Sequence, residues 1–497
     1  MTRQRPSWVS HMTLRQLILL VAAVSAVLAL IFVDGRSTIA PIDVAEEKTQ
    51  EVAMPLVSSA DMLATSWFCP GVPGNDDGIN SAIAIANPSD AEITATVTLL
   101  SSGQAPVSSS VSVPARSKTL VDARGGISST FVSALVEILG SVGTVEQLIS
   151  HPAGSVVTLC ANRPSAEWYF ADGFTGADSI EQIVLTNPFS DATVVDISFV
   201  TSETERTPAN LQGFVIPPQS VITLSMDEQG ARNEPVLAVS VRASSGMLIA
   251  GRSQHYLGQG RLGYSMSLGA SALSTQWSFP DGEKVDGNSE QLVIYNPTKI
   301  DRSLSVVFVN GSDSANSLEP AVVTAPAGRV TLLNTANIPG LPAGYYGIVI
   351  STNDLVDEGG VVVEQVVNRR IGNSVGTSVL LGAPTGAAST VWSAPSGVSA
   401  GLADSLVVLN ATPVEGFVTV SQVGPAGTVA LSGLESIPVP ASGVVVVAVP
   451  AGLPQSEIVI QSTVQVVVQR LLSRGNDLVG RAAVLALPHL PSPDVGK

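Results

Sequence analysis

Apolar and polar residues alternate along much of this 497-residue chain, in short runs separated by Gly, Pro, Asn and Asp. In the run 193–202 (TVVDISFVTS), Val195, Ile197 and Phe199 fall on one side and polar residues on the other. A period of two is that of a β-strand with one buried face. Such runs recur from residue 65 to 490, so the pattern predicts an all-β protein.

Four stretches of the chain begin with tryptophan and follow one plan: a first strand, a Gly/Asp-rich loop, and an apolar strand that stops at Asn. They read WFCPGVPGNDDGINSAIAIANP from Trp67, WYFADGFTGADSIEQIVLTNP from Trp168, WSFPDGEKVDGNSEQLVIYNP from Trp277 and WSAPSGVSAGLADSLVVLNAT from Trp392. Successive tryptophans are 101, 109 and 115 residues apart, and each Asn follows its Trp by 18 to 20 residues. A period of about 100 is too long for a helical solenoid and suits one small β-sandwich per repeat.

Each repeat contains about seven predicted strands, the number found in an immunoglobulin-like β-sandwich. We therefore predict four tandem sandwiches, at 65–164 (repeat 1), 165–274 (repeat 2), 275–390 (repeat 3) and 391–490 (repeat 4). Residues 128–140 (SSTFVSALVEILG) depart from the pattern, because their apolar residues fall at helical spacing. That spacing predicts a short helix in repeat 1.

The longest apolar run lies near the N-terminus, where residues 17–33 (LILLVAAVSAVLALIFV) carry no charge. As a helix it spans roughly one bilayer, and Arg3, Arg5 and Arg15 in front of it predict a cytoplasmic N-terminus. A cleaved signal peptide is the alternative, although its apolar region is normally shorter. We predict a cytoplasmic tail at 1–16, a single-pass transmembrane signal-anchor at 17–34, a linker at 35–64, and an extracytoplasmic remainder.

The acidic composition of the chain argues against nucleic acid as a partner. The net charge is −17 and only 13% of the residues are charged. Nucleic-acid binding requires clustered Lys and Arg, so nucleic acid is not an expected partner.

The two cysteines, Cys69 and Cys160, lie on the predicted first and last strands of repeat 1. These strands are often close in a sandwich, and an extracytoplasmic location permits a disulfide. The bridge would close a loop of 91 residues, which the chain-entropy model values at about 4–5 kcal/mol. Two buried free thiols are the alternative.

The repeated tryptophans allow two interpretations. Exposed rings would form stacking platforms for sugars, whereas buried rings would be structural anchors, since Trp buries a large area. Because Trp67, Trp168, Trp277 and Trp392 each begin a repeat, we favour structural repeat anchors.

The loop after each tryptophan is acidic in the first three repeats. It contains Asp76 and Asp77, then Asp172 and Asp178, then Asp281, Asp286 and Glu290. Oxygen-rich loops suit Ca²⁺, which makes Asp172 and Asp178 weak metal candidates. Asp and Gly are also ordinary turn residues, and the spacing matches no EF-hand. We therefore predict no metal site and no cofactor.

Catalytic motifs are lacking in the sequence. There is no G-x-S-x-G, no H-E-x-x-H and no Cys/His cluster. The histidines His151 and His255 lie in different repeats without evident partners. We predict that the protein is not an enzyme.

The stretch WYFADGFTG at the start of repeat 2, with the Asn-Pro turn at 187–188, resembles a β-sandwich repeat of bacterial secreted proteins, and the fourth repeat departs from it with Asn410-Ala411. A membrane anchor followed by such repeats resembles a family of uncharacterised actinobacterial envelope proteins. That resemblance implies a role near envelope polysaccharides, because members are thought to be encoded near glycosyltransferases. It carries over no catalytic residue.

The expected function is that of a non-enzymatic scaffold or interaction protein of the bacterial cell envelope. Tandem sandwiches bind through loops and faces rather than through chemistry. The expected partners are the membrane and envelope proteins or glycans. A glycan-binding accessory protein of envelope polysaccharide assembly is the alternative.

Overall fold

The computed structural model describes residues 52–57, 62–76, 78–140, 143–310, 318–353, 359–398, 404–451 and 457–489. The predicted transmembrane segment 17–34 lies outside these ranges. Within them, no helix is long and apolar enough to cross a membrane.

The predicted all-β fold is confirmed for the described residues, where antiparallel sheets pack in sandwich-like pairs. In the strand Thr193–Thr201, the side chains of Val195, Ile197 and Phe199 are fully buried, while Asp196 between them is exposed. The period of two in the sequence is therefore the period of burial in the structure.

Repeat 1 has sheets of order β1-β6-β3-β4 and β5-β2-β7-β8. Its strands are β1 Ala64–Pro73, β2 Asn80–Asn87, β3 Ile93–Ser101, β4 Val107–Val113, β5 Ser117–Asp122, β6 Phe131–Leu139, β7 Thr144–Ser150 and β8 Val156–Leu159.

Repeat 2 has sheets of order β12-β11-β15-β9, with β13 also on β11, and β14-β10-β16-β17. Its strands are β9 Glu167–Phe170, β10 Ile180–Asn187, β11 Thr193–Thr201, β12 Glu205–Arg206, β13 Phe214–Ile216, β14 Ser220–Ser225, β15 Leu237–Ser245, β16 Ile249–Gly258 and β17 Arg261–Leu268. Short 3₁₀ turns lie at Gly176–Asp178 and Ala209–Leu211.

Repeat 3 has sheets of order β21-β20-β23-β18-β26 and β22-β19-β24-β25. Its strands are β18 Gln276–Lys284, β19 Ser289–Asn296, β20 Arg302–Val309, β21 Ala321–Ala325, β22 Arg329–Asn334, β23 Gly344–Thr352, β24 Val362–Ile371, β25 Ser374–Leu381 and β26 Ala383–Pro384, with a 3₁₀ turn at Thr335–Asn337.

Repeat 4 differs in that one long strand, β33, takes part in both layers: it pairs with β27 and β29 on one side and with β28 and β34 on the other. Its strands are β27 Ser389–Ala394, β28 Asp404–Asn410, β29 Gly416–Gly424, β30 Gly427–Ala430, β31 Ile437–Val439, β32 Gly443–Val449, β33 Ile458–Ser473, β34 Arg481–Leu485 and β35 Leu487–His489.

The helix predicted for residues 128–140 is wrong, because Phe131–Leu139 form β6, paired with β1 and β3. The first half of β6 is buried on both faces. Its outer face lies against repeat 2, where the Ser133 Oγ is 2.8 Å from the Thr186 Oγ1. A strand buried on both faces has a nearly continuous apolar run, which the helical period also fits.

The Asn that ends the second strand of each repeat holds the turn after it. Asn87, Asn187, Asn296 and Asn410 are fully buried. In each, the Nδ2 donates to the carbonyl four residues ahead at 2.7–2.8 Å and to a carbonyl at or just after the end of a neighbouring strand. Because the hydrogen bonds of the Asn side chain hold the turn, repeat 4 forms it with Ala411 where the other repeats have proline.

The four repeats close into a ring around one axis. The last hairpin strand of each repeat lies at the centre, and β8 contacts β17, β17 contacts β25, β25 contacts β34, and β34 contacts β8. Since the fourth contact returns to the first strand, the head-to-tail arrangement is closed. We call these four the axial strands, and the end of the ring where their hairpins turn is the tip end.

The N-terminal segment 52–57 fills the axis at the end opposite the tips. Val52, Ala53 and Met54 are 6–7% exposed, and the Val57 N–H donates to the Pro488 carbonyl at 2.9 Å. A small cavity of about 70 Å³ remains between this segment and the axial strands. These residues belong to the predicted linker 35–64, so the described part of that linker is packed into the ring.

Arg474, in the turn between β33 and β34, fills the axis at the tip end. Its Nη2 donates to the Ala153 carbonyl at 2.8 Å, and its Nη1 lies 3.4–3.5 Å from the carbonyls of Leu262 and Thr377. One guanidinium from repeat 4 thus contacts the other three repeats.

Candidate functional site

The four repeat tryptophans are buried in their sandwiches, with 0–2% of each residue exposed. The indole N–H of three of them donates to a backbone carbonyl at 2.9–3.1 Å: Trp168 to Leu248, Trp277 to Val361 and Trp392 to Val466. A buried ring presents no stacking face to a sugar, so these side chains do not form an exposed glycan platform.

Instead, the turn after each tryptophan contacts the neighbouring repeat. The turn contacts one equivalent residue in each neighbouring repeat. This residue is paired, across the sheet, with the residue three positions before the repeated Asn. It is Glu146 in repeat 1, Gly251 in repeat 2, Glu364 in repeat 3 and Gln469 in repeat 4. We call this register the interface position. Every one of the four occupants lies against the turn of the preceding repeat, with repeat 1 following repeat 4 around the ring.

At the interface between repeats 2 and 3 the interface position holds a buried carboxylate. The Glu364 Oε2 accepts hydrogen bonds from the backbone N–H groups of Ala171 and Asp172 at 2.9 and 2.6 Å. Arg252 forms a bidentate ion pair with it at 2.9 and 2.8 Å, and both side chains are 1% exposed. Burial raises the pKa of Glu364, and the arginine opposes that rise.

The interface between repeats 4 and 1 repeats this arrangement. Glu146 accepts from the Ser396 N–H at 3.0 Å and pairs with Arg470 at 2.9 Å. Arg252 and Arg470 occupy the same register, one residue after the interface position. The two residues are 324 positions apart in the chain, so the ion pair lies at the interface where the last repeat meets the first.

The other two interfaces carry no such ion pair among the described residues. Between repeats 3 and 4, the Gln469 Oε1 accepts from the Asp281 N–H at 3.3 Å. Between repeats 1 and 2 the interface position is Gly251, and a β-carbon there would lie 2.5 Å from the Cβ of Pro70. The glycine is therefore required by a close approach of the two repeats.

A second buried carboxyl, Glu181, lies beside the ion pair between repeats 2 and 3. Neither carboxylate oxygen makes a well-formed hydrogen bond to a described residue. Burial raises the pKa of Glu181 to about 8, with Arg252 opposing the rise. Glu290 occupies the same place in repeat 3 and accepts from the Tyr346 hydroxyl and the Gln365 amide, and burial raises its pKa to about 7.

His151 and His255, which the sequence left without partners, meet at the tip end between repeats 1 and 2. Their ring centroids are 4.9 Å apart, and His151 also stacks on Tyr264 at 4.2 Å. Burial lowers the pKa of His151 to about 4, and His255 adds to the effect. Burial also lowers the pKa of His255.

The weak metal candidates Asp172 and Asp178 do not share a site. Asp172 is fully buried, and both of its oxygens lie 3.0 Å from the Arg261 Nη1. Asp178 is exposed in the 3₁₀ turn at Gly176–Asp178. Across the described ranges, no group of three or more His, Cys, Asp or Glu side chains is placed to hold a metal ion.

The other acidic loop residues are also divided among different roles. Asp281 pairs with Arg369 at 2.6 Å, and Asp286 lines an exposed cavity in repeat 3. Asp76 caps its own loop by accepting from the Gly78 N–H at 2.8 Å. Asp77 lies outside the described residues.

Cys69 and Cys160 are joined by a disulfide within repeat 1. The cross-link ties β1 to the segment after β8 and lies next to Trp67 in the core of repeat 1. It therefore connects the start of the first repeat to an axial strand.

Three cavities open at the tip end of the ring. One of about 540 Å³ lies between repeats 3 and 4, one of about 390 Å³ lies over Arg474, and one of about 230 Å³ lies between repeats 2 and 3. A further cavity of about 540 Å³ lies on the acidic loop of repeat 3.

The fold defines a class of protein, a closed all-β ring of sandwich-like repeats, and comparisons with known proteins add a family match over part of it. The model of a family of unknown function, DUF5719, matches residues 143–370, from the end of repeat 1 through most of repeat 3. No curated protein matches the chain. A solved structure described as the crystal structure of Thermotoga maritima 1070 is 20% identical, with a TM-score of 0.18, covering 22% of this chain and 92% of that one.

Proposed function

We propose that this protein is a non-enzymatic scaffold or interaction protein of the bacterial cell envelope. In this proposal, residues 17–34 anchor the chain in the membrane, and four immunoglobulin-like sandwiches lie outside the cytoplasm. The ring then serves as a rigid platform whose tip end binds partners.

The observation that supports this proposal best is the way buried polar side chains are used. The Arg252–Glu364 and Arg470–Glu146 pairs and the Arg474 guanidinium all join one repeat to another. Groups that could have formed an active site thus stabilise the assembly of the ring. A ring held in this way keeps its surface loops in fixed relative positions, which suits recognition.

The two ends of the axis suggest which surface would face a partner. The chain enters the ring through Val52–Pro55, opposite the tips. In this proposal the tip end, opposite that entry, is the surface that faces a partner. Exposed apolar side chains at the tips include Leu257, Ile371 and Leu478, which are 39–72% exposed.

Site-specific photocrosslinking in the native envelope tests the proposal. A photoreactive amino acid at Ile371, which is 72% exposed, should capture one discrete envelope component. The matched control is Leu139, which is 75% exposed on β6 of repeat 1 and should capture nothing comparable. Equal capture at both positions, or none at Ile371, would count against a binding role for the tip end.

Glycan binding is the second candidate, favoured by the cavity of about 540 Å³ on the acidic loop of repeat 3. Its wall includes Glu283, Lys284, Asp286 and Asn288, the side-chain types that hydrogen-bond sugar hydroxyls. Retention of the full chain on an envelope polysaccharide should decrease with Asp286→Ala and not with Asp178→Ala, an exposed aspartate of repeat 2. Lack of retention on every envelope glycan would remove this candidate.

A further inference from the structure

The wall of the cavity between repeats 3 and 4 at the tip end carries three arginines. Its charged wall residues are Arg369, Arg370, Arg481 and Asp477, three cations and one anion. The whole chain has a net charge of −17 and only 24 Lys and Arg residues. A volume of about 540 Å³ is within the range of small-ligand sites.

Arg370 supplies a charge that the described part of the protein does not neutralise. Its side chain is exposed and makes no hydrogen bond or ion pair to any described residue. Its backbone N–H donates to the Asn288 Oδ1 at 3.2 Å, which fixes the strand at the cavity rim. The guanidinium therefore lies at the rim with its donors available.

Arg369 gives the cavity a rigid wall. Its Nη2 pairs with Asp281 at 2.6 Å and its Nε with Glu283 at 3.4 Å. These two carboxylates offset its charge and fix its orientation, while its Nη1 is buried without a partner among the described residues. Arg369 thus shapes the cavity, and Arg370 beside it supplies the uncompensated positive charge at the rim.

The hairpin itself does not require these arginines. Five and six residues after the interface position, repeat 1 has His151-Pro152, repeat 2 has Tyr256-Leu257 and repeat 4 has Arg474-Gly475, where repeat 3 has Arg369-Arg370. A hairpin forms in each repeat, although these residues lie in the turn in repeats 1 and 4 and in a strand in repeats 2 and 3. The hairpin therefore does not depend on two consecutive arginines, which only repeat 3 has at this offset.

From this arrangement we propose that the cavity between repeats 3 and 4 is a binding site for an oxyanion, a phosphate or carboxylate group carried by a small molecule or a sugar unit. The planar guanidinium fork matches the geometry of both groups, and hydrogen bonds between ions are stronger than those between neutral groups. Asn288 and Ser473 in the wall provide neutral donors beside the arginines. This inference does not depend on the scaffold proposal.

Calorimetric titration of the purified full-length chain tests the site. The probes are inorganic pyrophosphate, a glucuronate-containing tetrasaccharide and the neutral tetrasaccharide maltotetraose. At least one anionic probe should bind, with affinity that falls as salt rises, and the neutral probe should not. A preference for pyrophosphate assigns the ligand to phosphates, and a preference for the glucuronate probe assigns it to acidic sugars.

Substitutions locate the binding in the cavity. Arg370→Ala should weaken binding about tenfold or more, because it removes a charge-assisted contact. The control Arg232→Ala removes another exposed arginine, in repeat 2, and should change affinity less than about twofold. The proposal is overturned if neither anion binds the unmodified chain, or if both variants lose the same affinity.

Discussion

The four interfaces of the ring share one geometry but fall into two chemical kinds. Between repeats 2 and 3, and between repeats 4 and 1, a buried arginine pairs with a glutamate at the interface position. Between repeats 1 and 2 that position is Gly251, packed on Pro70, and between repeats 3 and 4 it is Gln469. The two kinds alternate around the ring.

The four interfaces show which property of the interface position is shared and which one varies. In three interfaces the occupant must accept a hydrogen bond from a backbone N–H in the turn after the repeat tryptophan, and Glu364, Glu146 and Gln469 all do so. The neutral side-chain amide of Gln469 meets this requirement. The negative charge of Glu364 and Glu146 is therefore not needed for the hydrogen bond. The ion pairs make an interface sensitive to the loss of one partner, since a single charge left buried is strongly unfavourable.

Breaking one ion pair should produce the largest effect. Arg252→Met leaves Glu364 buried without its partner and should cost about 3–5 kcal/mol in the free energy of unfolding. Adding Glu364→Gln should recover much of this loss, because glutamine occupies the equivalent position in repeat 4. Denaturant unfolding of the three proteins measures both effects.

The matched control for this pair is Arg206→Met, which removes a partly exposed arginine paired with Glu234 at 3.1 Å. Its cost should stay within about 1 kcal/mol. Equal losses for the Arg206 and Arg252 variants would show that burial adds nothing to the importance of the Arg252 pair.

The next largest effect is a dependence of stability on pH. It comes from the carboxyl of Glu181, which is buried beside the interface between repeats 2 and 3. The folded-state pKa of Glu181, about 8, is raised above its ordinary value. Its contribution to stability is therefore present below about pH 4.5 and is lost as the pH rises through 8. Glu181→Gln should remove that dependence and stabilise the protein at pH 9 by on the order of 3 kcal/mol.

Thermal unfolding from pH 5 to 9 measures this difference, and Glu137→Gln at an exposed site on β6 serves as the control. The interpretation fails if the difference between Glu181→Gln and the unmodified protein is the same at both ends of this range.

A smaller effect is expected at the neutral interface between repeats 1 and 2. Gly251→Ala places a methyl group 2.5 Å from the Pro70 Cβ, and the overpacking should cost about 1–3 kcal/mol. Gly424→Ala is the control, since no atom lies within 4 Å of the added carbon. Hydrogen exchange should show faster opening of β1 and β16 in the Gly251 variant only, and unchanged exchange there would contradict the close approach.

The smallest effect is expected on the stability of the protein at acidic pH. The pKa of His151 in the fold, about 4, lies below its ordinary value of about 6.5. The unfolded chain therefore takes up the proton first, and stability present above 6.5 is lost as the pH falls toward 4. The charged or titratable groups around it are His255, Tyr264 and Asp76.

His151→Asn keeps an acceptor for the Ala153 N–H, which the histidine Nδ1 accepts at 2.9 Å, but cannot take up a proton. The variant should lose less stability than the unmodified protein between pH 6.5 and 4, with the difference in exchange confined to the interface of repeats 1 and 2. A parallel loss in both proteins would exclude His151 as the acid-sensitive group.

Local pattern was enough to predict the all-β fold, because alternation with a period of two reports directly which side of a strand is buried, as at Val195, Ile197 and Phe199. It failed at Phe131–Leu139, since a strand covered on both faces loses the alternation. It placed the candidates Asp172 and Asp178 in one loop but could not show that Arg261 neutralises the first of them, 89 residues away.

Sequence alone therefore determined the strands that have one exposed face, the turns that follow the repeated Asn, and the four-fold repetition of the stretch that begins with tryptophan. Only the tertiary structure decided that the repeats close into a ring, that Glu146 meets Arg470 across 324 residues, and that His151 meets His255. Strand formation depends on neighbours within a few residues, whose burial leaves a period in the sequence. Ring closure depends on contacts between repeats, and a pair of complementary residues hundreds of positions apart leaves no period to read.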